Sequence, residues 1–191
     1  MRRVPASATE LRMPPKVSPD ELDYVQIDDT LVGLAVRALQ AAERNGLKVI
    51  TAESCTGGLV ATVLSEAPGA VDYFDGGFVC YTPEHKCAAL GIDRKLIERC
   101  GAVSAEVATA MVEGALAGST ANIAVAVTGV AGLDTDEKGN PVGLVYVAAG
   151  RRGADIICVK RNFGDGGRAA IRAQAAAEAL ALLERIASGA A

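Results

Sequence analysis

The chain has 191 residues, half of them hydrophobic, and a formal net charge of −4 at pH 7. This length suits one well-buried core and is short for two. The acidic balance argues against broad contact with nucleic-acid phosphates. No apolar run reaches the length that spans a bilayer, and no apolar region follows Arg2 and Arg3, so we expect neither a membrane segment nor a secretory signal.

Cysteine and histidine usage narrows the classes further. The five cysteines are an odd number without a C-x-x-C pair, which is typical of reduced thiols in a cytoplasmic protein. We expect Cys80, Cys87, Cys100 and Cys158 to be small core residues. His85 is the single histidine, and without clustered Cys/His spacing we expect no structural zinc site and no other metal site.

The N-terminal segment differs in composition from the rest of the chain. Residues 1–27 carry four of the seven prolines, Pro5, Pro14, Pro15 and Pro19. So many helix-breaking residues in a short polar segment predict an irregular N-terminal arm. An ordered arm that packs against a neighbouring subunit is the competing interpretation. Residues 28–188 are predicted to form one domain.

From Asp28 onward, apolar residues follow helical and strand periodicities in turn. The β-branched and alanine run Ile123–Thr128 is the best candidate for a central strand buried on both faces. Leu144–Ala148 and Asp155–Arg161 are interpreted as two antiparallel neighbours. The alternation predicts an α/β fold, a three-layer α/β/α sandwich with a mixed sheet in a single domain. The other predicted elements are a helix from Asp28 to Asn45, strand Leu47–Ala52, helix Thr56–Glu66, strand Gly77–Tyr81, a helix that starts at Pro83, a helix around Asp93–Arg99, a helix capped by Ser104 and a last helix that starts near Gly167.

The segment Thr51–Gly58 joins a predicted strand to a predicted helix and is the most informative part of the chain. Such a turn places the Ser54 hydroxyl near the carboxyl end of a strand and at the positive end of a helix, where N–H groups can stabilise an oxyanion. Gly57 and Gly58 would let the backbone approach a ligand closely. The alternative is an ordinary turn in which Ser54 or Thr56 caps the helix.

Three candidate residues, Ser54, Tyr81 and Thr128, end predicted strands. Ligands of open α/β sheets bind beyond the carboxyl ends of the strands, so we expect the three side chains to line one site. Thr128 and Gly129 would offer a hydroxyl and backbone N–H groups to a bound phosphate.

Five motifs follow one another along the chain: Glu53–Gly58, Gly77–Tyr81 with Lys86, Gly101–Ser104, Ala126–Gly132 and Pro141–Gly143. In this order they resemble the CinA C-terminal domain family, over about residues 31–183. The resemblance implies a nicotinamide-nucleotide amidohydrolase, which hydrolyses nicotinamide mononucleotide to nicotinate mononucleotide and ammonia. The implied partner is a small-molecule nucleotide, and neither a metal nor a cofactor is implied.

By that resemblance, Ser54 is the nucleophile, and Tyr81 with Lys86 supplies proton transfer. Lys86 can act as a base only if desolvation or neighbouring cations lower its pKa. Taken alone, Lys86 is expected to be a solvated side chain and Tyr81 an amphipathic core residue. Cys55 is the rival nucleophile, because a helix start would stabilise its thiolate. Glu53 is either a buried acceptor within the turn or a partner of Lys86, and the sequence leaves both open.

The resemblance also assigns substrate binding to Thr128, Gly129 and Arg168. Arg168 opens the last helix, where a guanidinium and a helix N-terminus together suit a phosphate. Without the resemblance, Arg168 is expected to be an exposed surface charge. Arg172, one turn further on, is a weaker candidate for the same role.

The loop after Thr128 departs from the family pattern. Family members usually continue Gly-Ile-Ala-Gly-Pro with more glycines, whereas Leu133–Glu137 brings three carboxylates that would weaken the binding of a phosphate. One alternative function is therefore an amidase for another small carboxamide. Another is a catalytically silent nucleotide- or partner-binding module linked to competence or DNA damage. The Ala-rich helices leave faces suited to subunit contact, so we expect a homo-oligomer.

Overall fold

The structure, a computed structural model, describes residues 25–190, so nearly all of the predicted arm lies outside the described residues. The strands are β1 (Val49–Glu53), β2 (Phe74–Val79), β3 (Ile123–Gly129), β4 (Leu144–Arg151) and β5 (Ile156–Asn162). The helices are α1 (Asp29–Arg44), α2 (Leu59–Ser65), α3 (Ala70–Tyr73), α4 (Pro83–Leu90), α5 (Arg94–Cys100), α6 (Ala105–Ala117) and α7 (Arg168–Ala187). None of these helices is long and apolar enough to cross a membrane.

The five strands form one mixed sheet in the order β2-β1-β3-β4-β5. β1 pairs in parallel with both β2 and β3, while β4 pairs antiparallel with β3 and with β5. The predicted antiparallel pair is therefore confirmed, and β3 occupies the centre of the sheet as predicted. Because the first three strands are parallel, their carboxyl ends meet at one edge.

Side chains of β3 enter two cores on opposite faces of the sheet, as the two-residue period of a strand requires. Val125 lies in a core shared with α1, α2 and α7, whereas Ala124 lies in a core shared with α6. The three-layer α/β/α prediction is thus confirmed.

Element boundaries differ from the predicted ones for local reasons. The second helix begins at Leu59, not at Thr56, because Gly57 and Gly58 adopt φ values of +63° and +91°, which a right-handed helix does not include. β2 begins at Phe74 and ends at Val79, so Tyr81 follows the strand instead of ending it. The four-residue helix α3 was not predicted, since one turn is too short to show periodicity.

The expectation for the cysteines holds in part. Cys80 is fully buried, Cys87 and Cys158 are partly buried and pack against the core on the α6 face, and Cys100 is partly buried, so the prediction of core positions is confirmed for Cys80 and holds in part for Cys87 and Cys158. Cys158 lies on β5, an edge strand, and the other two partly buried cysteines lie on the short helices α4 and α5. All five thiols are free.

Candidate active site

The carboxyl ends of the parallel strands bring the predicted site residues to one place. The Ser54 N–H donates to the Val127 carbonyl of β3 at 3.0 Å, and the Cys80 N–H donates to the Glu53 carbonyl of β1 at 2.7 Å. The ladder therefore continues one residue past β1 and β2 before the chain turns away. Ser54, Tyr81 and Thr128 line one cavity of about 200 Å³, together with Cys55, Lys86, Ala102, Val103, Gly129, Val130, Ala131, Gly132 and Asp136.

Lys86 reaches into this cavity from α4. The helix starts with Pro83 as its first residue and with Thr82 as N-cap, whose hydroxyl accepts the His85 N–H at 3.2 Å. Lys86 is 1% exposed, so the expectation of a solvated lysine is wrong. Its Nζ lies 2.8 Å from Ser54 Oγ and donates to the Cys80 carbonyl at 2.9 Å.

The surroundings of Lys86 favour a neutral amine. Burial lowers the pKa of Lys86, and only negative charge on Cys80 or Cys55 would raise it. Burial also raises the pKa of Cys55 to about 12 and raises that of Cys80, so both thiols are protonated and uncharged near neutral pH. The condition that the sequence sets for a basic Lys86, desolvation, is therefore present.

Cys55 is poorly suited to the role of nucleophile. Its side chain is buried within the core on the α7 face, and burial outweighs the charge of Lys86 in setting its pKa. The expected thiolate stabilisation by a helix start is thus wrong, because the dominant influence on this thiol is loss of water.

Glu53 resolves the alternatives that the sequence leaves open. Its carboxylate accepts the Val60 N–H at 3.0 Å and the Ala61 N–H at 2.7 Å, and Thr51 Oγ1 lies 3.4 Å away. Glu53 is the buried acceptor within the turn, and its carboxylate caps α2. The Val60 and Ala61 N–H groups are therefore occupied, so these two donors are not free to stabilise an oxyanion at Ser54. Neither Ser54 nor Thr56 caps α2, whose N-cap is Gly58.

Tyr81 and Arg168 meet at the rim of the cavity. Tyr81 is 58% exposed, so the interpretation as a core residue is wrong. Its hydroxyl lies 3.5 Å from Arg168 Nη2, at the long limit of a hydrogen bond. Arg168 is exposed as the first residue of α7, and its guanidinium stands beside a residue of the cavity wall.

Of the predicted substrate-binding residues, Thr128 and Gly129 line the cavity and Gly57 does not. The Thr128 hydroxyl donates to the Ala102 carbonyl at 2.8 Å, so it also ties β3 to the segment before α6. A Cβ at Gly129 would lie 2.7 Å from Val145 Cγ2 and 3.1 Å from Cys55 Sγ, so only glycine fits there. Gly57 is exposed, and its N–H donates to the Ser54 carbonyl at 3.0 Å.

The acidic loop touches the cavity through Asp136. The Asp136 carboxylate accepts the Lys138 N–H at 2.9 Å and the Asn140 N–H and Nδ2–H, each at 2.8 Å. Asp134 and Glu137 are exposed. The carboxylate nearest to the cavity is thus occupied with holding the loop in shape. In residues 25–190, no group of three or more His, Cys, Asp or Glu side chains could hold a metal ion.

Comparison with known proteins identifies the family of the chain. The family model for the CinA C-terminal domain matches residues 32–187. The chain belongs to the CinA C-terminal domain family. A solved structure of this family, "competence/damage inducible protein CihA" from Agrobacterium tumefaciens, is 40% identical, with a TM-score of 0.80 over 84% of this chain and 98% of that one.

Relatives of this CinA-domain protein carry two kinds of name. "Nicotinamide-nucleotide amidohydrolase PncC" of Pseudomonas putida is 43% identical over 152 residues, which are 80% of this chain and 94% of that protein. The Escherichia coli K12 protein of the same name is 40% identical over 157 residues, with 82% and 94% covered. A "Putative competence-damage inducible protein" of Symbiobacterium thermophilum is 43% identical over 169 residues, but these are only 39% of its length.

The sequence did not predict some of the groups that line the cavity of this CinA-domain protein or contact Lys86. The Cys80 carbonyl holds Lys86 Nζ, and a backbone acceptor leaves no signature in a sequence. Ala102 and Val103 line the cavity from the segment before α6. Their motif, Gly101–Ser104, was part of the resemblance, and this was the signal that could have assigned them to the site.

Proposed function

We propose that this protein hydrolyses the carboxamide of nicotinamide mononucleotide, giving nicotinate mononucleotide and ammonia, with Ser54 as nucleophile. The amidohydrolase class follows from the relatives of that name, which this chain matches over nearly their whole length. The observation that carries the serine mechanism is the 2.8 Å contact between Ser54 Oγ and the buried Lys86 Nζ. A serine hydroxyl is a weak nucleophile unless a base within hydrogen-bond reach takes its proton.

In the first half of the reaction, Ser54 Oγ attacks the carboxamide carbon and its proton passes to neutral Lys86 Nζ. The tetrahedral intermediate then collapses, the C–N bond breaks, and Lys86 returns the proton to the leaving nitrogen, which departs as ammonia. An ester between Ser54 and the nicotinoyl group remains. The Cys80 carbonyl keeps Lys86 Nζ in place for both transfers, since it accepts a hydrogen bond from the same nitrogen at 2.9 Å.

In the second half, a water molecule attacks the ester carbon while Lys86 accepts a proton from that water. The ester C–O bond breaks, Ser54 Oγ recovers that proton from Lys86, and the nicotinic acid product gives its remaining carboxyl proton to solvent and leaves as a carboxylate. Lys86 thus acts as base and acid in each half. Tyr81 is assigned to orienting the substrate instead of the proton transfer that the resemblance implies, because its hydroxyl stands at the rim beside Arg168.

The phosphate of the substrate is assigned to Arg168. Arg168 is exposed and is the first residue of the 20-residue helix α7, and its guanidinium lies next to Tyr81, which lines the cavity. An anion at that position would gain a charge-assisted bond and the field of a helix N-terminus. Thr128 and Gly129 line the same cavity as Ser54.

Two other functions remain as alternatives, and an assay of ammonia release distinguishes them from the proposed one. An amidase for a different small carboxamide is favoured by the cavity contact of Asp136, which adds an acidic residue beside the substrate. Burying an amine costs free energy, and a catalytically silent binding module gains nothing from a lysine buried against a serine hydroxyl.

The test is ammonia release from nicotinamide mononucleotide, measured for the wild type, Ser54→Ala and Cys55→Ala. We expect the wild type to be active, Cys55→Ala to remain within a few-fold, and Ser54→Ala to lose activity while it keeps its folded circular-dichroism spectrum. Activity that survives in Ser54→Ala and is lost in Cys55→Ala would transfer the role of nucleophile to Cys55. If the folded wild type releases ammonia only from other carboxamides, nicotinamide mononucleotide is not its substrate and the proposed substrate is wrong.

A further inference from the structure

Arg172 is joined to the turn that carries Ser54. It lies on α7, one turn after Arg168, and its guanidinium is partly buried. Nε and Nη2 both donate to the carbonyl oxygen of Thr56, at 3.2 Å and 2.8 Å. We infer that Arg172 is a positioning residue for the Ser54 nucleophile, an inference that rests on the proposed serine mechanism.

The turn needs an anchor from outside because its own bonds are few. Gly57 and Gly58 have positive φ values, and glycine restricts the backbone less than any other residue. Within the turn, the Gly57 N–H donates to the Ser54 carbonyl at 3.0 Å, and the Leu59 N–H reaches the Thr56 carbonyl at 3.3 Å. Val127 and Glu53 fix the two ends of the segment, so Arg172 is the side chain that fixes its middle.

Arg172 holds Thr56 through the backbone carbonyl of Thr56 and not through its side chain. Thr56 is fully buried, and its side-chain oxygen has no hydrogen-bond partner among the described residues. The hydroxyl therefore does nothing to hold the turn, and the guanidinium holds it through the backbone alone. A forked donor suits this task better than an ammonium, since two N–H groups converge on one oxygen from a fixed plane.

The same contacts argue against a phosphate role for Arg172. Its Nε and Nη2 are already engaged by Thr56, and Arg172 does not line the cavity at Ser54. The pKa of Lys86 is shifted by burial and by the neighbouring thiols of Cys80 and Cys55. The contribution of Arg172 to the reaction is therefore the position of Ser54, and neither the charge of the base nor the grip on the nucleotide.

The test compares Arg172→Gln and Arg172→Lys with a control, Arg185→Gln, an exposed arginine in the last turn of the same helix. We expect Arg172→Gln to lower kcat about 10- to 100-fold, as a displacement of about 1 Å at a reacting group does. KM should change less than kcat, and nicotinamide riboside should lose the same factor as the mononucleotide. The pH at which kcat/KM levels off should stay that of the wild type. Arg172→Lys should recover part of the loss, and Arg185→Gln should behave as wild type.

Three results would overturn the inference. A rise in KM confined to the phosphorylated substrate would make Arg172 a phosphate ligand. A shifted pH profile would make it an electrostatic partner of Lys86. Unchanged kcat in a folded Arg172→Gln would leave the turn independent of it. Where Arg172→Gln does not fold, Arg172→Lys tests the positioning role directly, because it keeps the charge and removes the forked donor: kcat and a labelling rate equal to those of the wild type would overturn the inference.

A second readout separates this inference from the proposed substrate. The rate at which a fluorophosphonate labels Ser54, followed by mass spectrometry, needs no nucleotide and depends on the position of the hydroxyl. We expect slower labelling in Arg172→Gln than in the wild type and in Arg185→Gln. If the wild type is labelled at Ser54 yet releases no ammonia from the mononucleotide, the proposed substrate fails and the positioning role is still judged by the labelling rates.

Discussion

Replacing Lys86 by methionine removes the proposed base with little change in shape, since both side chains are unbranched and methionine tolerates burial. Lys86 Nζ is within direct proton-transfer distance of Ser54 Oγ, at 2.8 Å. A positioned acid–base group contributes roughly 10²- to 10⁴-fold to a rate. We therefore expect Lys86→Met to lower kcat by that factor, which raises the activation free energy by about 3–5 kcal/mol.

The effect of Lys86→Met on stability should depend on pH in a defined direction. Burial lowers the pKa of Lys86 in the folded state below the ordinary value of 10.5, so between these two pKa values the unfolded chain binds more protons. The free energy of unfolding of the wild type therefore rises with pH in that window. Methionine has no such dependence, so the wild type gains on the variant as the pH is raised. Loss of the bonds to Ser54 and Cys80 costs the variant about 1 kcal/mol each at every pH.

The assay is ammonia release from nicotinamide mononucleotide as a function of pH, for wild type and Lys86→Met. Below the lowered pKa of Lys86, kcat/KM of the wild type should rise about tenfold per pH unit, because only the neutral amine accepts the Ser54 proton. It should level off at a pH below 10.5, the ordinary lysine pKa. The variant should lack this limb. Equal activity of the two proteins, or the same limb in the variant, would refute Lys86 as the base.

Two further predictions concern the rim and the turn. Arg168→Ala should raise KM for the mononucleotide about 10- to 100-fold, because one charge-assisted hydrogen bond is lost, and should leave KM for nicotinamide riboside unchanged. An equal loss of kcat/KM on both substrates would make Arg168 structural. Thr56→Val should keep or raise the free energy of unfolding, by up to about 1 kcal/mol, because the hydroxyl that it removes is buried without a partner. Denaturant titration measures this, and a loss of about 2 kcal/mol would contradict the absence of a partner.

The sheet and its layers could be predicted because their signals are local. The run of apolar side chains at Ile123–Thr128 predicts a strand that is buried on both faces, and this run forms the central strand. The meeting of Ser54 and Thr128 follows from the same information, since parallel strands end at one edge. Glycine is the residue type that favours positive φ, so the start of α2 after Gly57 and Gly58 could also have been predicted from the sequence. The predicted helix nevertheless begins too early, at Thr56.

The chemistry of Lys86 could not be predicted from its own segment. It lies on an eight-residue helix, and the serine it contacts is 32 residues away along the chain. Burial of a lysine depends on what the rest of the fold places around it, and no local pattern encodes that. The exposure of Tyr81 was missed for a related reason, because the strand before it ends two residues earlier than predicted.

Two sources of reactivity were conceivable for Ser54, the field of the following helix and a desolvated base, and the structure favours the second. The Glu53 carboxylate accepts the Val60 and Ala61 N–H groups, so these two donors at the start of α2 are already occupied. An anion forming at Ser54 therefore gains little from that helix. Lys86 loses water instead, and its lowered pKa makes proton acceptance possible nearer to neutral pH. In the proposed mechanism, Arg172 of α7 holds the turn that carries Ser54, and Lys86 of α4 supplies the base.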